Sequence, residues 1–182
     1  MSFNIVASWQ DILLVVDNLF DPKFLEDYSK YLSSLGQGEK APILSDNGEV
    51  NYDQGTGVWQ TPADESCSKY IDFLIRSNLI PIPDKVKLSF STKQHEMYCG
   101  AMMDPHDDHG HGIAVTTYLS SCVGGNLVVH SGKVNQNFEI EPRPNRTVIL
   151  KGGNEHWVSP VISGERISIQ TFIRFERIQN DV

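Results

Sequence analysis

Seven short apolar runs, separated by turn residues, follow Pro83 and limit the folds that this chain can adopt. The runs are Val86–Phe90, Glu96–Gly100, Ile113–Leu119, Asn126–Val129, Phe138–Ile140, Thr147–Leu150 and Arg166–Phe175. Pairs such as Gly124-Gly125 and Ser163-Gly164 separate consecutive runs. Many short strands with frequent turns are typical of a β-sandwich or a barrel. We therefore predict an all-β C-terminal part.

The N-terminal part has helical signals. Asp21 followed by Pro22 is a good N-cap with proline at the first helical position, and apolar residues then recur at helical spacing up to Gly36. We predict a second helix from Thr61-Pro62 that ends before Pro81. A short apolar strand, Ile12–Val16, precedes both helices.

These elements fit one domain. The chain has 182 residues, a comfortable size for one hydrophobic core, and no linker-like segment divides it. We predict an α+β, mostly β domain over residues 1–182. Residues 1–83 would form the N-terminal strand and helical support, and residues 84–178 the β core.

Charge and cysteine content narrow the functional classes. The net charge is −8 and no run of Lys or Arg occurs, which argues against a nucleic-acid partner. The three cysteines are widely spaced and lack a CxxC motif, so they predict reduced thiols rather than disulfides or a zinc ribbon. The N-terminus lacks the pattern of a signal peptide, and the apolar run at 12–16 is far too short to span a membrane. We expect a cytoplasmic protein without a membrane partner.

A histidine-rich segment, PHDDHGHG at 105–112, is the strongest candidate for a metal site. His106 and Asp108 are two residues apart, so an extended backbone directs both side chains to the same side. His156, after a Gly-Gly turn, is the best third ligand. Two histidines and one carboxylate form the facial triad that holds Fe(II) and leaves coordination positions open.

A second polar set lies ten residues after His156. Arg166 and Ser168 share one face of a predicted strand, so both can point into one cavity. A guanidinium with an adjacent hydroxyl is a good receptor for a carboxylate.

From about Tyr98 to Phe175 the chain resembles the 2-oxoglutarate- and Fe(II)-dependent oxygenase superfamily, particularly its prolyl 4-hydroxylase-like branch. The matching stretches are PHDD at 105–108, TTYLS at 116–120, GGNLVV at 124–129, EPRPNRTVIL at 141–150, HWVSPV at 156–161 and GERISI at 164–169. The resemblance implies a double-stranded β-helix, the jelly-roll or cupin-like fold, with N-terminal helices packed on one sheet. It also implies Fe(II), 2-oxoglutarate as co-substrate, O2, and ascorbate as a candidate reductant.

The resemblance further implies a role for each candidate residue. His106, Asp108 and His156 match the iron ligands, and Arg166 matches the residue that pairs with the distal carboxylate of 2-oxoglutarate. Ser168 and Tyr118 match residues near that carboxylate. Tyr98 matches, more loosely, a residue that lines the co-substrate pocket. The expected reaction hydroxylates an unactivated C–H bond of a prolyl peptide or a proline-like small molecule, with release of succinate and CO2.

Several alternatives stay open at this stage. His109 and His111 form an H-x-H that could join His156 in a cupin-type three-histidine dioxygenase without 2-oxoglutarate. A jelly roll that binds a ligand without catalysis is a further alternative. His109 and His111 could equally be loop residues at the mouth of the pocket.

Three other features have an ordinary structural interpretation. We expect His95 and His130 to be surface or hydrogen-bonded residues rather than ligands. The segment 36–60 could be a substrate lid or a surface loop. Asn145 replaces a glycine that is common at that position in the family, and we expect the change to affect only its turn.

Overall fold

We describe a computed structural model of the chain, which covers residues 3–9, 12–34, 39–40, 43–44, 50–51, 58–62, 68–108, 112–132 and 135–177. Within these ranges there are two helices and sixteen strands. The helices are α1 (Pro22–Ser34) and α2 (Ser68–Arg76). The strands are β1 (Asn4–Trp9), β2 (Leu13–Asp17), β3 (Glu39–Lys40), β4 (Ile43–Leu44), β5 (Val50–Asn51), β6 (Val58–Pro62), β7 (Val86–Met97), β8 (Met103–His106), β9 (Ile113–Tyr118), β10 (Cys122–Gly124), β11 (Leu127–Ser131), β12 (Gln136–Ile140), β13 (Arg146–Lys151), β14 (His156–Val158), β15 (Val161–Gly164) and β16 (Arg166–Arg177).

Helix α1 begins where the sequence predicts. The Asp21 carboxylate accepts hydrogen bonds from the backbone amides of Lys23 and Phe24, at 2.9 and 3.1 Å, and so caps the first turn. The helix buries Leu25, Tyr28 and Leu32, which lie on one face of it. The predicted N-cap and helical spacing are therefore confirmed.

Two antiparallel sheets form the β core. The larger sheet has the strand order β1-β2-β13-β9-β16-β7-β6-β3, and the smaller has the order β12-β11-β14-β8. Strand neighbours such as β2 and β13 are distant in sequence, as expected for a jelly roll. This arrangement confirms the predicted α+β, mostly β class and the double-stranded β-helix.

The larger sheet is covered on both faces. One face packs on the helices: Ile169 and Ile173 of β16 share a core with Leu32 of α1 and Leu74 of α2. The other face packs on the smaller sheet, through a second core. That second core includes Ala114, Tyr118, Val148 and Leu150 of the larger sheet and Leu127, Val129, Phe138 and Ile140 of the smaller sheet. The central strands β9 and β13 are accordingly buried along almost their whole length, on both faces.

A buried chain of hydroxyl groups joins helix α2 to the sheet. Tyr70 Oη lies 2.7 Å from Thr117 Oγ1, which lies 2.9 Å from Thr147 Oγ1. The tyrosine ring stacks on Phe20, with ring centroids 4.8 Å apart. The hydroxyl chain satisfies polar groups on a face that is otherwise apolar.

Two predictions of secondary structure are wrong. Thr61 and Pro62 do not begin a helix, because they belong to β6, which pairs with β7; helix α2 starts at Ser68. The runs Val86–Phe90 and Glu96–Gly100 are not separate strands, because β7 pairs with β16 without interruption along twelve residues. The polar stretch between the two runs stays in the strand, since Thr92 and Thr171 form a buried hydroxyl pair at 3.0 Å.

Asn145 does more than form a turn, so that prediction is also wrong. Its backbone has a left-handed φ of 61°, which asparagine tolerates better than most residues. Its side chain accepts a hydrogen bond from the Phe20 amide at 3.0 Å and donates one to the Phe20 carbonyl at 2.8 Å. Its backbone carbonyl accepts from the Asn18 amide at 2.9 Å. Asn145 therefore holds the segment between β2 and α1 against the sheet.

Within the described ranges, neither α1 nor α2 has the length and apolar character that crossing a membrane would require.

Candidate active site

Three side chains of types that bind metals converge at the smaller sheet. His106 is the last residue of β8, Asp108 follows two residues later, and His156 is the first residue of β14. His156 pairs directly with His106 across the β8–β14 ladder. One ligand atom from each of the three residues lies within 4.8 Å of the others, so the set could hold a metal ion. The structure therefore brings together the three residues that the sequence predicts as metal ligands.

Backbone carbonyl groups orient both imidazoles. His106 Nδ1 lies 2.7 Å from the Asp104 carbonyl oxygen, and His156 Nδ1 lies 2.9 Å from that of Asn154. A carbonyl oxygen only accepts, so each Nδ1 carries the proton and donates it. The lone pair of each Nε2 is then free for a metal, the arrangement found at metal-binding histidines.

The charges in this cluster act differently on the two imidazoles. Burial by itself acts to lower the pKa of both imidazoles, because it disfavours their charged form. At His106, burial together with the neighbouring His156 keeps the pKa below its usual value. At His156, a hydrogen bond and the charge of Asp108 outweigh burial and raise the pKa. His156 Nε2 lies 3.4 Å from Asp108 Oδ2, so the carboxylate favours a positive charge at this position.

Arg166 lies at the start of β16, and its side chain is buried inside the fold at 3% exposure. Its Nε donates to the Gly125 carbonyl at 2.9 Å. The terminal nitrogens have only long contacts, at 3.4 Å to Ser168 Oγ, 3.4 Å to Tyr118 Oη and 3.5 Å to Met97 Sδ. Within the described ranges the guanidinium has no carboxylate partner. A buried cation without a counter-ion is costly unless an anion binds beside it.

The Gly124-Gly125 turn lets the backbone approach Arg166. Gly125 has a φ of +63°, and a Cβ on it would lie 3.1 Å from Arg166 Cδ and 2.9 Å from Cys122 Sγ. A Cβ on Gly124 would lie 2.2 Å from the Pro160 carbonyl oxygen. Both positions require glycine because the turn is left-handed and packed against other chain segments.

One cavity joins the two candidate histidine ligands to Arg166 and Ser168. It lies between the sheets and is lined by His106 and His156 together with Arg166 and Ser168. Apolar side chains, including Leu127, Val148, Leu150 and Val158, form the remaining walls. The two candidate histidine ligands and the guanidinium of Arg166 thus line the same cavity.

The structure treats the two predicted tyrosines differently. Tyr118 is fully buried, and its ring faces the guanidinium of Arg166, with the guanidinium carbon 5.0 Å from the ring centroid. Tyr98 is 37% exposed and does not line the cavity. Its hydroxyl donates to Glu96 Oε2 at 2.9 Å, and that bond raises the pKa of Tyr98 to about 12. Met97, which pairs with Arg166 across β7 and β16, is the buried neighbour instead.

His95 is a pocket residue that the sequence interpretation missed. It is buried at 7% exposure, lines the cavity, and pairs with Ser168 across β7 and β16. His95 is therefore not a surface residue, and no described residue gives its Nε2 a hydrogen-bond partner. The sequence does contain a signal for this position. Side chains alternate between the two faces of a strand, so His95 shares a face with Met97 once β7 is recognised as one continuous strand.

His130 matches its ordinary interpretation, since its Nδ1 lies 2.8 Å from Asn137 Oδ1 on the neighbouring strand. His109 and His111 lie outside the described residues, as does most of the segment 36–60. Their roles therefore stay predictions.

Comparison with known proteins agrees with this geometry. Residues 92–174 match the family model described as the 2OG-Fe(II) oxygenase superfamily. The comparison with curated protein sequences gives no match.

Solved structures share the fold at low sequence identity. A prolyl-4-hydroxylase from Pseudomonas putida is 18% identical, with a TM-score of 0.65 over 91% of this chain and 92% of that one. A Burkholderia pseudomallei oxidoreductase of the 2OG-Fe(II) oxygenase family is 14% identical, with a TM-score of 0.69 over 91% and 85%. HygX from Streptomyces hygroscopicus, solved with nickel and 2-oxoglutarate bound, is 11% identical, with a TM-score of 0.67 over 89% and 82%.

The family match includes all three candidate metal ligands and Arg166. Residues 92–174 therefore match the 2-oxoglutarate- and Fe(II)-dependent oxygenase superfamily, and the chain shares its double-stranded β-helix fold with solved prolyl hydroxylases.

Proposed function

We propose that this chain is a 2-oxoglutarate- and Fe(II)-dependent oxygenase. It would hydroxylate an unactivated C–H bond of a prolyl peptide or a proline-like small molecule, with release of succinate and CO2. His106, Asp108 and His156 would hold Fe(II), and Arg166 would bind the distal carboxylate of 2-oxoglutarate. One observation carries the assignment: the two histidines of the convergent ligand set and a buried guanidinium without a counter-ion line a common cavity.

The donor set fits Fe(II). Two imidazoles with free Nε2 lone pairs and one carboxylate match the facial triad of non-haem iron oxygenases. Bound Fe(II) would supply the open coordination positions at which O2 is activated while 2-oxoglutarate is decarboxylated. The chain itself contributes orientation, since the β8–β14 pairing and the two backbone carbonyls fix both rings.

The opposite end of the cavity fits a carboxylate. Arg166 is held in place by its Nε bond to Gly125, which leaves both terminal nitrogens able to donate. Ser168 and Tyr118 add hydroxyl groups beside them. A carboxylate there would gain charge-assisted hydrogen bonds and neutralise the buried cation.

The substrate class is supported by fold likeness. Besides the Pseudomonas putida enzyme, a Trichoplax adhaerens prolyl hydroxylase solved with a hypoxia-inducible-factor peptide shares the fold, at 16% identity and a TM-score of 0.68. HygX has also been solved with hygromycin B, so the fold accepts small molecules as well. The resemblance of the sequence to the prolyl 4-hydroxylase-like branch favours a proline ring as the acceptor.

The test is a succinate-release assay with Fe(II), 2-oxoglutarate and ascorbate, screened against proline-containing peptides, free proline and related amino acids. We expect product with a mass increase of one oxygen atom, dependent on both Fe(II) and 2-oxoglutarate. Arg166→Gln should raise the 2-oxoglutarate requirement by roughly 10- to 100-fold. Turnover that does not need 2-oxoglutarate would instead favour the three-histidine alternative with His109 and His111.

We also propose that residues 1–182 act as one domain, with 1–83 as support for the catalytic core at 84–178. The β2–β13 pairing and the bonds between Asn145 and Phe20 support this. A single cooperative unfolding transition, seen by both fluorescence and far-UV circular dichroism, is the expected result; two separated transitions would contradict it.

A further inference from the structure

His95 has no role in the function proposed above, yet it lies at the carboxylate-binding end of the cavity. The side chain is buried, with 7% of its surface exposed. Within the described ranges its Nε2 has no hydrogen-bond partner. Buried polar atoms in native proteins are nearly always paired, so an orphan inside a cavity points to a missing partner.

Strand register places His95 beside the groups that would bind the carboxylate. His95 pairs with Ser168, and Met97 pairs with Arg166, so all four side chains lie on the same face of the sheet. His95, Arg166 and Ser168 all line the cavity. The imidazole therefore flanks the hydroxyl that contacts the guanidinium at 3.4 Å.

The imidazole is neutral under ordinary conditions. Burial lowers the pKa of His95 to about 3, and the charges of Arg166 and Lys93 act in the same direction. A neutral imidazole with a proton on Nε2 donates a hydrogen bond without placing a second cation beside Arg166.

We propose that His95 Nε2–H donates a hydrogen bond to the distal carboxylate of 2-oxoglutarate, next to the Arg166 guanidinium. This inference rests on the proposed function, because it needs 2-oxoglutarate to bind with that carboxylate at Arg166. His95 then makes the pocket select for a 2-oxo acid with a carboxylate at its far end. The cation supplies charge, and the imidazole supplies a directional donor.

Ligand truncation tests the contact directly. Anaerobic Fe(II)-loaded protein is titrated by calorimetry with 2-oxoglutarate and with 2-oxobutanoate, which lacks the distal carboxylate. We expect His95→Leu to weaken 2-oxoglutarate binding roughly 10- to 100-fold and to leave 2-oxobutanoate binding unchanged within about 2-fold. His95→Gln, which keeps an N–H donor, should recover part of the loss. His130→Leu, a histidine outside the cavity lining, is the matched control and should bind both ligands as the wild type does.

A second measurement needs no variant. In Zn(II)-loaded wild-type protein with ¹⁵N-labelled histidine, the Nε2 resonance of His95 should shift on addition of 2-oxoglutarate and stay in place on addition of 2-oxobutanoate. A resonance that does not respond to 2-oxoglutarate would overturn the inference even where His95→Leu fails to fold.

The outcomes separate this inference from the proposed function. If wild-type protein does not bind 2-oxoglutarate, or Arg166→Gln binds it equally well, the proposed function fails. If Arg166→Gln weakens binding while His95→Leu does not, the function stands and the role of His95 is wrong. Equal weakening of both ligands by His95→Leu would mean that the residue shapes the pocket without contacting the carboxylate, which also overturns the inference.

Discussion

His106 and His156 lie directly opposite each other in the β8–β14 ladder, with ring centroids 4.4 Å apart and ring planes at 51°. The two residues are fifty positions apart in the sequence and come from strands that pair in the smaller sheet. The sheet therefore fixes the spacing of two candidate ligands before any metal binds. Asp108 lies two residues beyond His106, past the end of β8, and completes the set.

Removal of any one of these three side chains should abolish metal binding. Mutation of a residue that hydrogen-bonds to a metal ligand typically lowers metal affinity about 10- to 100-fold. Loss of a ligand itself should therefore lower Fe(II) affinity by more than about 100-fold. Calorimetric titration of His156→Ala and Asp108→Ala with Fe(II) under anaerobic conditions measures this. His130→Ala is the control, because His130 bonds to Asn137 outside the site. Near-normal Fe(II) affinity in both variants would move the metal site elsewhere.

Gly125→Ala should weaken 2-oxoglutarate binding without changing metal affinity. The added Cβ would press on Arg166 Cδ at 3.1 Å and would strain a φ of +63°. We expect at least a roughly 10-fold loss, because Arg166 would leave its bond to the Gly125 carbonyl. Gly132→Ala is the matched control, since a Cβ there meets no atom within 4 Å. Equal affinities in the two variants would show that Arg166 tolerates the displacement.

Substitutions at Asn145 should separate its backbone role from its side-chain role. Asn145→Gly keeps the left-handed backbone but loses two hydrogen bonds to Phe20, at a cost of about 2 kcal/mol of unfolding free energy. Asn145→Ala loses the same bonds and adds backbone strain, for a total of about 3 kcal/mol. Urea unfolding of both variants gives the comparison. If alanine is no worse than glycine, the φ of 61° is not a source of strain.

His95 should make the stability of the apoprotein depend on pH. Its folded pKa of about 3 lies below the ordinary value of 6.5, so the unfolded chain binds the proton first as the pH falls. Above about pH 6.5 neither state binds the proton, so His95 does not reduce the free energy of unfolding. As the pH falls from about 6.5 towards about 3, protonation of the unfolded chain lowers that free energy progressively.

Between about pH 7.5 and about pH 5 the decline amounts to about 2 kcal/mol from this one residue. Urea unfolding at both pH values, in wild type and in His95→Gln, isolates the contribution from that of other groups. We expect the variant to lose about 2 kcal/mol less than the wild type on acidification. Parallel losses in the two proteins would show that His95 is already protonated, or well solvated, in the folded state.

Local sequence signals determined a large part of this protein. The cap at Asp21, the apolar alternation after Pro83 and the two-residue spacing of His106 and Asp108 depend on neighbours in the chain, so they could be interpreted without the fold. The same holds for the shared face of Arg166 and Ser168, because alternation along a strand is a local property. The family match, at residues 92–174, includes His106, Asp108, Arg166 and Ser168.

Tertiary pairing decided the rest. Thr61-Pro62 has a helical signal but joins a sheet, because pairing with β7 overrides local propensity. Tyr98 points outward and Met97 inward, because register with β16, and not sequence spacing, sets which residue faces Arg166. His95 and Asn145 looked ordinary in sequence, and their roles emerge only where distant strands meet them. The sequence by itself determined which residues could do the chemistry; the tertiary structure decided which of them share the cavity, because one-residue differences in strand register reverse the side on which a side chain lies.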